Sequence, residues 1–449
     1  MCPGPFGDGL QHHYDSYTFT NTTGATQCVT VDINTACTGT NFIFATAYLG
    51  SFDPNDLCAN YLADEGGSPN PTQPFSFELG DGQTVVIVVA EVTADAGCPG
   101  YTMTVTGLCG GGGGPCTLGP WNIVQDYPLV SESVSCTSDG AFGYCVGGFD
   151  GVNFVPTNQF NKYDPTTQSW TPLAAIPTAF YDGPAVYAPN TNQIYVFGGL
   201  DSNFAVLNIV QRYDVASNTW LANGAPMPDP SGRYFPAAVY YNGKIYVMGG
   251  FDGLTFSEQT NNWIYDPVTD TWDSSTAAPI PIPMGGAGFS IIGQNIYLAG
   301  HWNGGLASTD HYQYDAVNNM WTARAPVPVP IYRPGSGAIE DKEYLVGGGN
   351  PFAGGKAIRG RGPKLPHPSM QSPAVSYTST YIYDTANDTW SAGPTTNMPH
   401  SFTGGTAIGN SLIVVTGFDG GADTATVEQA DCVTGPTPTP TPSATPTAT

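Results

Sequence analysis

The sequence predicts an all-β protein: a six-bladed β-propeller, preceded by a β-sandwich and followed by an extended Pro/Thr tail. Three observations carry this. One phrase recurs about every 50 residues, built only from short strands. In residues 241–272 a strand, Lys244 to Met248, stops at Gly249-Gly250; a second, Asn262 to Tyr265, runs into an Asp266-Pro267 turn before Trp272. Next, no long run shows helical periodicity, while 57 Gly and 40 Pro punctuate the chain. Lastly, the five glycines of Gly110 to Gly114 and the run TGPTPTPTPSATPTAT mark where compact structure should begin and end.

Each repeated residue has a physical reason. Aligned along the chain, the second glycine of the pair falls at Gly148, Gly199, Gly250, Gly300, Gly348 and Gly417. Glycine lets a strand end where backbones converge near the ring axis, where a side chain would clash or φ must turn positive. A Tyr-Asp step followed by Trp recurs at Tyr163–Trp170, Tyr213–Trp220, Tyr265–Trp272, Tyr314–Trp321 and Tyr383–Trp390. The rings suit the wedge between neighbouring blades, and the Asp can hold the turn by accepting backbone amides. In combination these elements resemble the kelch repeat, over about residues 117–432. The resemblance implies a propeller and gives all these residues scaffold roles.

Composition narrows the function. With 36 acids against 11 bases the formal charge is −25, so nucleic acid is not an expected partner. No stretch reaches the ~18 apolar residues of a membrane span. Ten cysteines without a CxxC spacing suggest disulfides and an extracellular or cell-surface location. The start, Met1-Cys2-Pro3-Gly4-Pro5, lacks a basic and apolar export signal, so the chain reads as a mature form or a slice of a longer protein.

Taken in order, residues 1–109 form the sandwich, 110–115 the linker, 116–433 the propeller and 434–449 the stalk. In the first domain Tyr14 to Phe19, Gln27 to Ile33, Asn41 to Leu49, Phe75 to Leu79, Thr84 to Val92 and Tyr101 to Val105 read as strands, with Asp53 through Glu65 as a solvated loop. The phrases YDSYTF, FELGDGQTVVIVV and YTMTV resemble the pre-peptidase C-terminal domain of bacterial secreted proteins, which implies an accessory module. Its six cysteines allow fifteen pairings. Proximity favours Cys28–Cys37, then Cys58–Cys98, with Cys2–Cys109 joining the ends. In the propeller, Cys136 and Cys145 sit on the two arms of the first hairpin. Blade five is followed by an insertion, Asn350 to Ser376, that stretches one Trp-to-Trp spacing to 69 residues. It gathers Lys356, Arg359, Arg361 and Lys364 within nine positions, a basic loop suited to self-association or to an anionic polymer.

The chain has no GxSxG, HExxH, Walker loop or dinucleotide fingerprint, and no cofactor or metal site is expected. The Asp-Gly steps at Asp150, Asp252 and Asp419 read as turn chemistry rather than a cation ring. Aligning blades back from the glycines places Arg233 with His400, and Phe235 with Arg333 and Phe402. Arg233, His301, Trp302, Arg333 and His400 are expected to line one depression: Trp302 stacks on a sugar ring while Arg233 and Arg333 pair a carboxylate or hydroxyls, which favours an acidic glycan. The reading is therefore an extracellular binding or structural protein with a glycan or protein partner, not an enzyme. The alternative is a carbohydrate-active enzyme: similarity to kelch-type sialic acid epimerases would need no metal. Similarity to galactose oxidase would need copper, a Tyr–Cys cross-link and two histidines.

The sixth repeat has no Trp strand of its own, while Trp121 precedes blade one with no glycine pair before it. Residues 117–124 should therefore complete blade six, with Cys116 and Cys432 bonded in place of the missing turn. Closing a loop of over 300 residues would stabilise by about 5 kcal/mol in the chain-entropy account. Non-reducing peptide mapping is expected to recover a Cys116–Cys432 peptide; finding either thiol free removes this closure.

Overall fold

The structure is a computed structural model describing residues 12–21, 26–35, 37, 42–54, 56–64, 74–80, 82–94, 96, 98, 100–106, 116–303, 306–350 and 375–433. Among them no helix occurs. The chain divides into two compact units, one within residues 1–117 and one spanning Leu118–Val433. The calls on Cys2, Cys109, the glycine linker, the basic loop and the stalk lie outside the described residues.

The first unit has seven strands: β1 (Tyr14–Thr20), β2 (Gln27–Thr35), β3 (Ile43–Leu49), β4 (Tyr61–Asp64), β5 (Phe75–Leu79), β6 (Thr84–Glu91) and β7 (Tyr101–Thr106). They make two sheets, β1-β6-β3-β4 and β5-β2-β7. Alternation along β2 and β5 turns Val29, Val31, Phe75 and Phe77 into one core with Ile43, Ala45, Val85 and Ile87. The segment read as a loop contributes β4, because Tyr61 packs on Tyr48 and adds to an apolar cluster over Val86 and Val88. The cysteine pairing differs from the expectation. Cys37 bonds Cys98, so neither Cys28–Cys37 nor Cys58–Cys98 forms; Cys28 is free and exposed, and Cys58 is bonded elsewhere. Sequence proximity failed because β2 and β7 pair in one sheet, which brings the end of one beside the start of the other across 61 residues.

Among the described residues the second unit holds six antiparallel sheets that make the blades, and three two-stranded ones besides. Blade one is Ser135–Ser138, Gly143–Val146, Phe160–Asp164 and Ser169–Pro172; blade two is Ala185–Ala188, Gln193–Phe197, Val210–Asp214 and Thr219–Trp220. Blade three is Ala237–Tyr241, Lys244–Met248, Asn262–Asp266 and Thr271–Asp273; blade four is Gly288–Ile292, Asn295–Ala299, His311–Asp315 and Met320–Ala323. Blade five is Gly335–Ile339, Lys342–Val346, Thr380–Asp384 and Thr389–Ala392. The insertion lies inside it, between its second and third strands, with Gly349–Asn350 pairing Val375–Ser376 at the base. Blade six is Gly404–Ile408, Ser411–Phe418 and Asp423–Val433, and its outer strand comes from the start of the unit: Asn122 and Ile123 pair with Gln429 and Glu428. The first strand of each sheet packs on the first strand of the next, and Gly404–Ile408 meets Ser135–Ser138, closing the ring. Cys136 and Cys145 are cross-strand partners joined by a disulfide with Cα atoms 4.2 Å apart. Cys116 and Cys432 each belong to a disulfide, and Gly119 donates to the carbonyl of Asp431, beside Cys432.

The seams between blades repeat one device. In blade two the Trp220 indole donates to the carbonyl of Ala174, on the segment leaving blade one (2.7 Å), while Asn218 accepts the Ala174 amide (2.9 Å) and the Tyr213 hydroxyl (2.7 Å). The same clip joins Trp272, Asp270 and Tyr265 to Ala225, Trp321, Asn319 and Tyr314 to Ala278, and Trp390, Asp388 and Tyr383 to Ala325. All four Asn/Asp residues hold a positive φ, between 51° and 55°. The Trp is thus a directional connector as well as a wedge.

The glycine pairs meet backbone, as the strand ends required. Gly347 has φ +65°, and a Cβ there would sit 2.0 Å from the carbonyl oxygen of His400. Gly293 has φ +59° but open space around it. Gly293→Ala is expected to cost about 1 kcal/mol, the backbone penalty alone, and Gly347→Ala more than about 3 kcal/mol, because backbone must move. Urea unfolding of both variants measures the gap; equal costs would mean that the strand end has room.

Candidate functional site at the propeller axis

Six residues, one just before the first strand of each blade, form a collar: Ser133, Asp182, Phe235, Gly286, Arg333 and Phe402. All have φ between 52° and 68°. That conformation is uncommon for side-chain-bearing residues and costs about 1 kcal/mol or more each. Here it turns four of the six amides toward the neighbouring blade. Phe235 donates to the Asp182 carbonyl (2.7 Å), Gly286 to Phe235 (3.1 Å), Arg333 to Gly286 (2.9 Å) and Ser133 to Phe402 (2.6 Å).

Arg333 organises the collar's side chains. Its guanidinium lies 3.2 Å from the Phe402 ring centroid and 3.6 Å from that of Phe235. Its Nη2 donates to the Ser133 hydroxyl and to Asp182 Oδ1, the latter at 2.5 Å. One buried side chain from blade five therefore touches blades one, two, three and six. Beneath the collar is a cavity of about 110 Å³, lined by Ser133, Asp182, Phe235, Phe289, Arg333 and Phe402, among others.

The electrostatics at this end are unbalanced toward acid. Burial pushes Asp182 up to about 6, although Arg333 and Ser133 pull it down. Glu132 is raised well above the carboxylate range by burial and then by Asp423, with Arg333 opposing and Asp182 adding. Asp423 is raised to about 6 by burial, Asp419 and Asp150. Oδ2 of Asp182 and Oε2 of Glu132 are buried without a hydrogen-bond partner.

The predicted depression does not form. Only Arg333 of the five proposed residues lines the cavity. Arg233 turns into its own blade, where it pairs with Asp229 at 2.7 Å, donates to Asn261 and lies 4.7 Å from the Trp263 ring centroid. His301 bonds Asp310 at 2.9 Å, and Trp302 is 3% exposed against Tyr332, with no free face for a sugar. His400 is fully buried between the Glu428 carboxylate (3.2 Å) and the Thr416 carbonyl (2.8 Å). Each is a large polar group that close packing supplied with an internal partner, as burial requires. The sequence reading missed Ser133 and Asp182. Ser133 stands as far before Gly148 as Arg333 does before Gly348, so the alignment already contained it. Asp182 was hidden by blade two's longer hairpin, Pro189-Asn190-Thr191-Asn192.

The turn reading of the Asp-Gly steps agrees with the structure: Asp150 accepts the amides of Val152 and Asn153, and Asp252 those of Leu254 and Thr255. Among the described residues no cluster of His, Cys, Asp or Glu is placed to hold a metal ion. All four propeller cysteines are in disulfides, so none is available for the Tyr–Cys cross-link of the copper alternative.

The raised carboxyls predict a pH dependence. A folded-state pKa above the unfolded value of about 4 contributes stability that is fully present below about pH 4 and lost as pH rises. For Asp182 and Asp423 the loss is complete near pH 6; for Glu132 it continues higher. Glu132→Gln, which cannot ionise, is therefore expected to raise the unfolding midpoint more at pH 8 than at pH 5. An equal shift at both values, in a thermal scan, would show that Glu132 carries no ionisation penalty.

Comparison with known proteins agrees with this architecture. Residues 133–348 match the family model described as the KLHDC2/KLHL20/DRC7 Kelch-repeats domain. Mouse Kelch-like protein 35 is 29% identical over 157 residues, 35% of this chain and 25% of that protein. Kelch-like protein terF of Aspergillus terreus is 32% identical over 170 residues, 36% of this chain and 35% of that protein. Human Kelch domain-containing protein 3 is 27% identical over 192 residues, 38% of this chain and 50% of that protein. These matches thus span between a quarter and a half of the relatives' length. The solved structure titled "Structure of YjhT" superposes with a TM-score of 0.53 at 20% identity, covering 68% of this chain and 95% of that one. The recurring glycine pairs, Tyr-Asp steps and tryptophans therefore close a kelch-repeat β-propeller.

Proposed function

We propose that the propeller is a non-catalytic binding module acting outside the cell or at its surface, and that its partner is a protein. One observation carries this. The loops between second and third strands, all at one end of the ring, expose apolar tips: Leu254 is 80%, Val152 64% and Leu306 58% exposed. Long apolar side chains standing in water on loops of blades one, three and four, at one end of the ring, are what a protein interface covers. The loops of blades one to three are held in shape: Asp150, Asp201 and Asp252 each accept two backbone amides. Phe154, Phe204 and Phe256 in turn pack on the aromatic cluster beneath. A partner would meet a preorganised surface, which lowers the entropy cost of binding. A glycan fits less well, because Trp302, Arg233, His301 and His400 are committed inside the blades. The extracellular setting is supported by the Cys37–Cys98 and Cys136–Cys145 disulfides.

Selection of displayed peptides on the full chain tests the reading. Enriched peptides are expected to be apolar and basic, given the −25 charge. The triple variant Val152→Ser, Leu254→Ser, Leu306→Ser should weaken them at least about tenfold, the ~1.4 kcal/mol of one modest apolar contact, with the unfolding midpoint unchanged. Binders indifferent to the triple variant, or sugar turnover by the purified chain, would replace this reading.

A further inference from the structure

Acid gathers where the ring closes, at the same end as the exposed loops. Ser131–Glu132 is a short strand lying between Phe149–Asp150, in blade one's loop, and the start of Asp423–Val433 in blade six. Ser131 pairs with Asp150 on one side and Thr424 on the other, which sets Glu132 beside Asp423 on one face. The Asp423 carboxylate also lies against blade one: a Cβ added at Gly151 would sit 2.3 Å from its Oδ2. Asp150 and Asp419 are each held by amides of their own turns. The carboxylates of Glu132 and Asp423 accept no hydrogen bond among the described residues.

No described base neutralises this pair. The ring's lysines and arginines form ion pairs with Asp182, Asp229, Asp266, Asp270, Asp341 and Asp384; among the described residues none does so with Glu132, Asp419 or Asp423. Glu132 is 7% exposed, and of its two oxygens only Oε2 is shut off from solvent without a partner; Asp423 is half-buried. Shielding carboxylates without a countercharge is unfavourable, so this junction calls for a cation. The neighbours indicate which kind. A calcium ion takes about six to eight oxygens, and no described cluster of His, Cys, Asp or Glu is placed to hold a metal. Val152, the residue after Gly151, is 64% exposed, and Val155 on the same hairpin is 45% exposed. An apolar surface beside two carboxylates is answered by an aliphatic stem with a charged head, the form of lysine and arginine side chains.

We propose that the junction of blades one and six is the anchor for a cationic side chain of the protein partner, its head on the Asp423 and Glu132 carboxylates and its stem along Val152. This anchor rests on the protein-binding reading above and names what such a partner must present. It also predicts a pH dependence. Asp423 is pushed up to about 6 by burial, Asp419 and Asp150; Glu132 is raised by burial and then by Asp423, with Arg333 opposing and Asp182 adding. The Tyr181 hydroxyl, itself raised, stands near Glu132 as well. A cation binds the ionised carboxylates, which pH 8 supplies and pH 5 largely removes.

NMR titration of the full chain with acetyl-lysine amide and acetyl-arginine amide tests the anchor, with the norleucine and citrulline amides as neutral counterparts. Both cations are expected to bind saturably at pH 8 and about tenfold more weakly at pH 5, since an acid titrating one unit higher is then ionised in about a tenth of molecules. The neutral amides should not bind. Asp423→Asn should weaken the cations at least tenfold. Glu132→Gln should weaken them severalfold while raising the unfolding midpoint at pH 8, a separation that a merely structural carboxylate would not produce; it carries the test if Asp423→Asn does not fold. Equal binding of the neutral amides, binding untouched by the acid variant that folds, or calcium chloride raising the midpoint through the same two carboxylates would overturn the proposal. Displayed peptides that bind through Leu254 and Leu306 while neither cation binds would remove the anchor and leave the protein face standing. Cations that bind a chain enriching no peptide would uphold the acidic site and sink only the protein-face reading.

Discussion

The ring depends on how one blade holds the next, and in four seams that is decided at a single alanine. Ala174, Ala225, Ala278 and Ala325 each have their amide accepted by an Asn or Asp and their carbonyl bonded by a Trp indole of the following blade. Apolar wedges alone would let adjacent sheets slide, because burial is non-directional. Two hydrogen bonds to one peptide fix both distance and angle. Each is worth only about 1 kcal/mol net, but breaking one leaves a shielded backbone group unpaired, and the seam recurs around the ring.

The closing seam and the axis solve the same problem with different residues. At closure Trp170 bonds the Gln125 carbonyl and Tyr163 bonds Gln429, while Trp121 reaches the carbonyl of Pro394. At the axis the backbone collar is polar and strained, and Arg333 is the side chain that spans it. Taking out one partner of a buried ion pair costs about 3–5 kcal/mol. An Arg333–Asp182 pair is therefore weak evidence for added stability but strong evidence that neither residue can be lost alone. The excess of acid around it makes this end of the ring its least settled electrostatically.

That contrast places function. The repeated scaffold chemistry lies in the seams, where the alanine amides and carbonyls are answered. Buried carboxylate oxygens without a hydrogen bond occur near the axis, at Asp182 and Glu132, and within the ring at Glu343; exposed apolar side chains stand on the loops between second and third strands and on the turns between third and fourth strands. Two buried histidines each lie beside a buried carboxylate. His311 faces Glu343 and His400 faces Glu428, both pairs fully buried. Burial would raise Glu428, but His400 and the amides of Asn397 and Met398 hold it below its ordinary value.

Much of the architecture could be read from residue order, because each blade repeats the same local instruction. Glycine pairs, Asp turns and Tyr/Trp positions act over a few residues, where chain connectivity already places the partners. Even the origin of blade six's outer strand followed, since an unpaired Trp strand and a repeat lacking one must meet for a ring to close. The sequence by itself therefore determined the class of fold and the scaffold role of the repeated residues. The tertiary structure alone decided which polar residues face solvent or cavity. Arg233 and Arg333 look alike in sequence, yet one turns into its blade toward Asp229 and the other crosses the axis to Asp182. Cys37 likewise passes over the nearby Cys28 for Cys98. In each case the choice rests on a partner remote in sequence, and burial makes that partner obligatory without naming it.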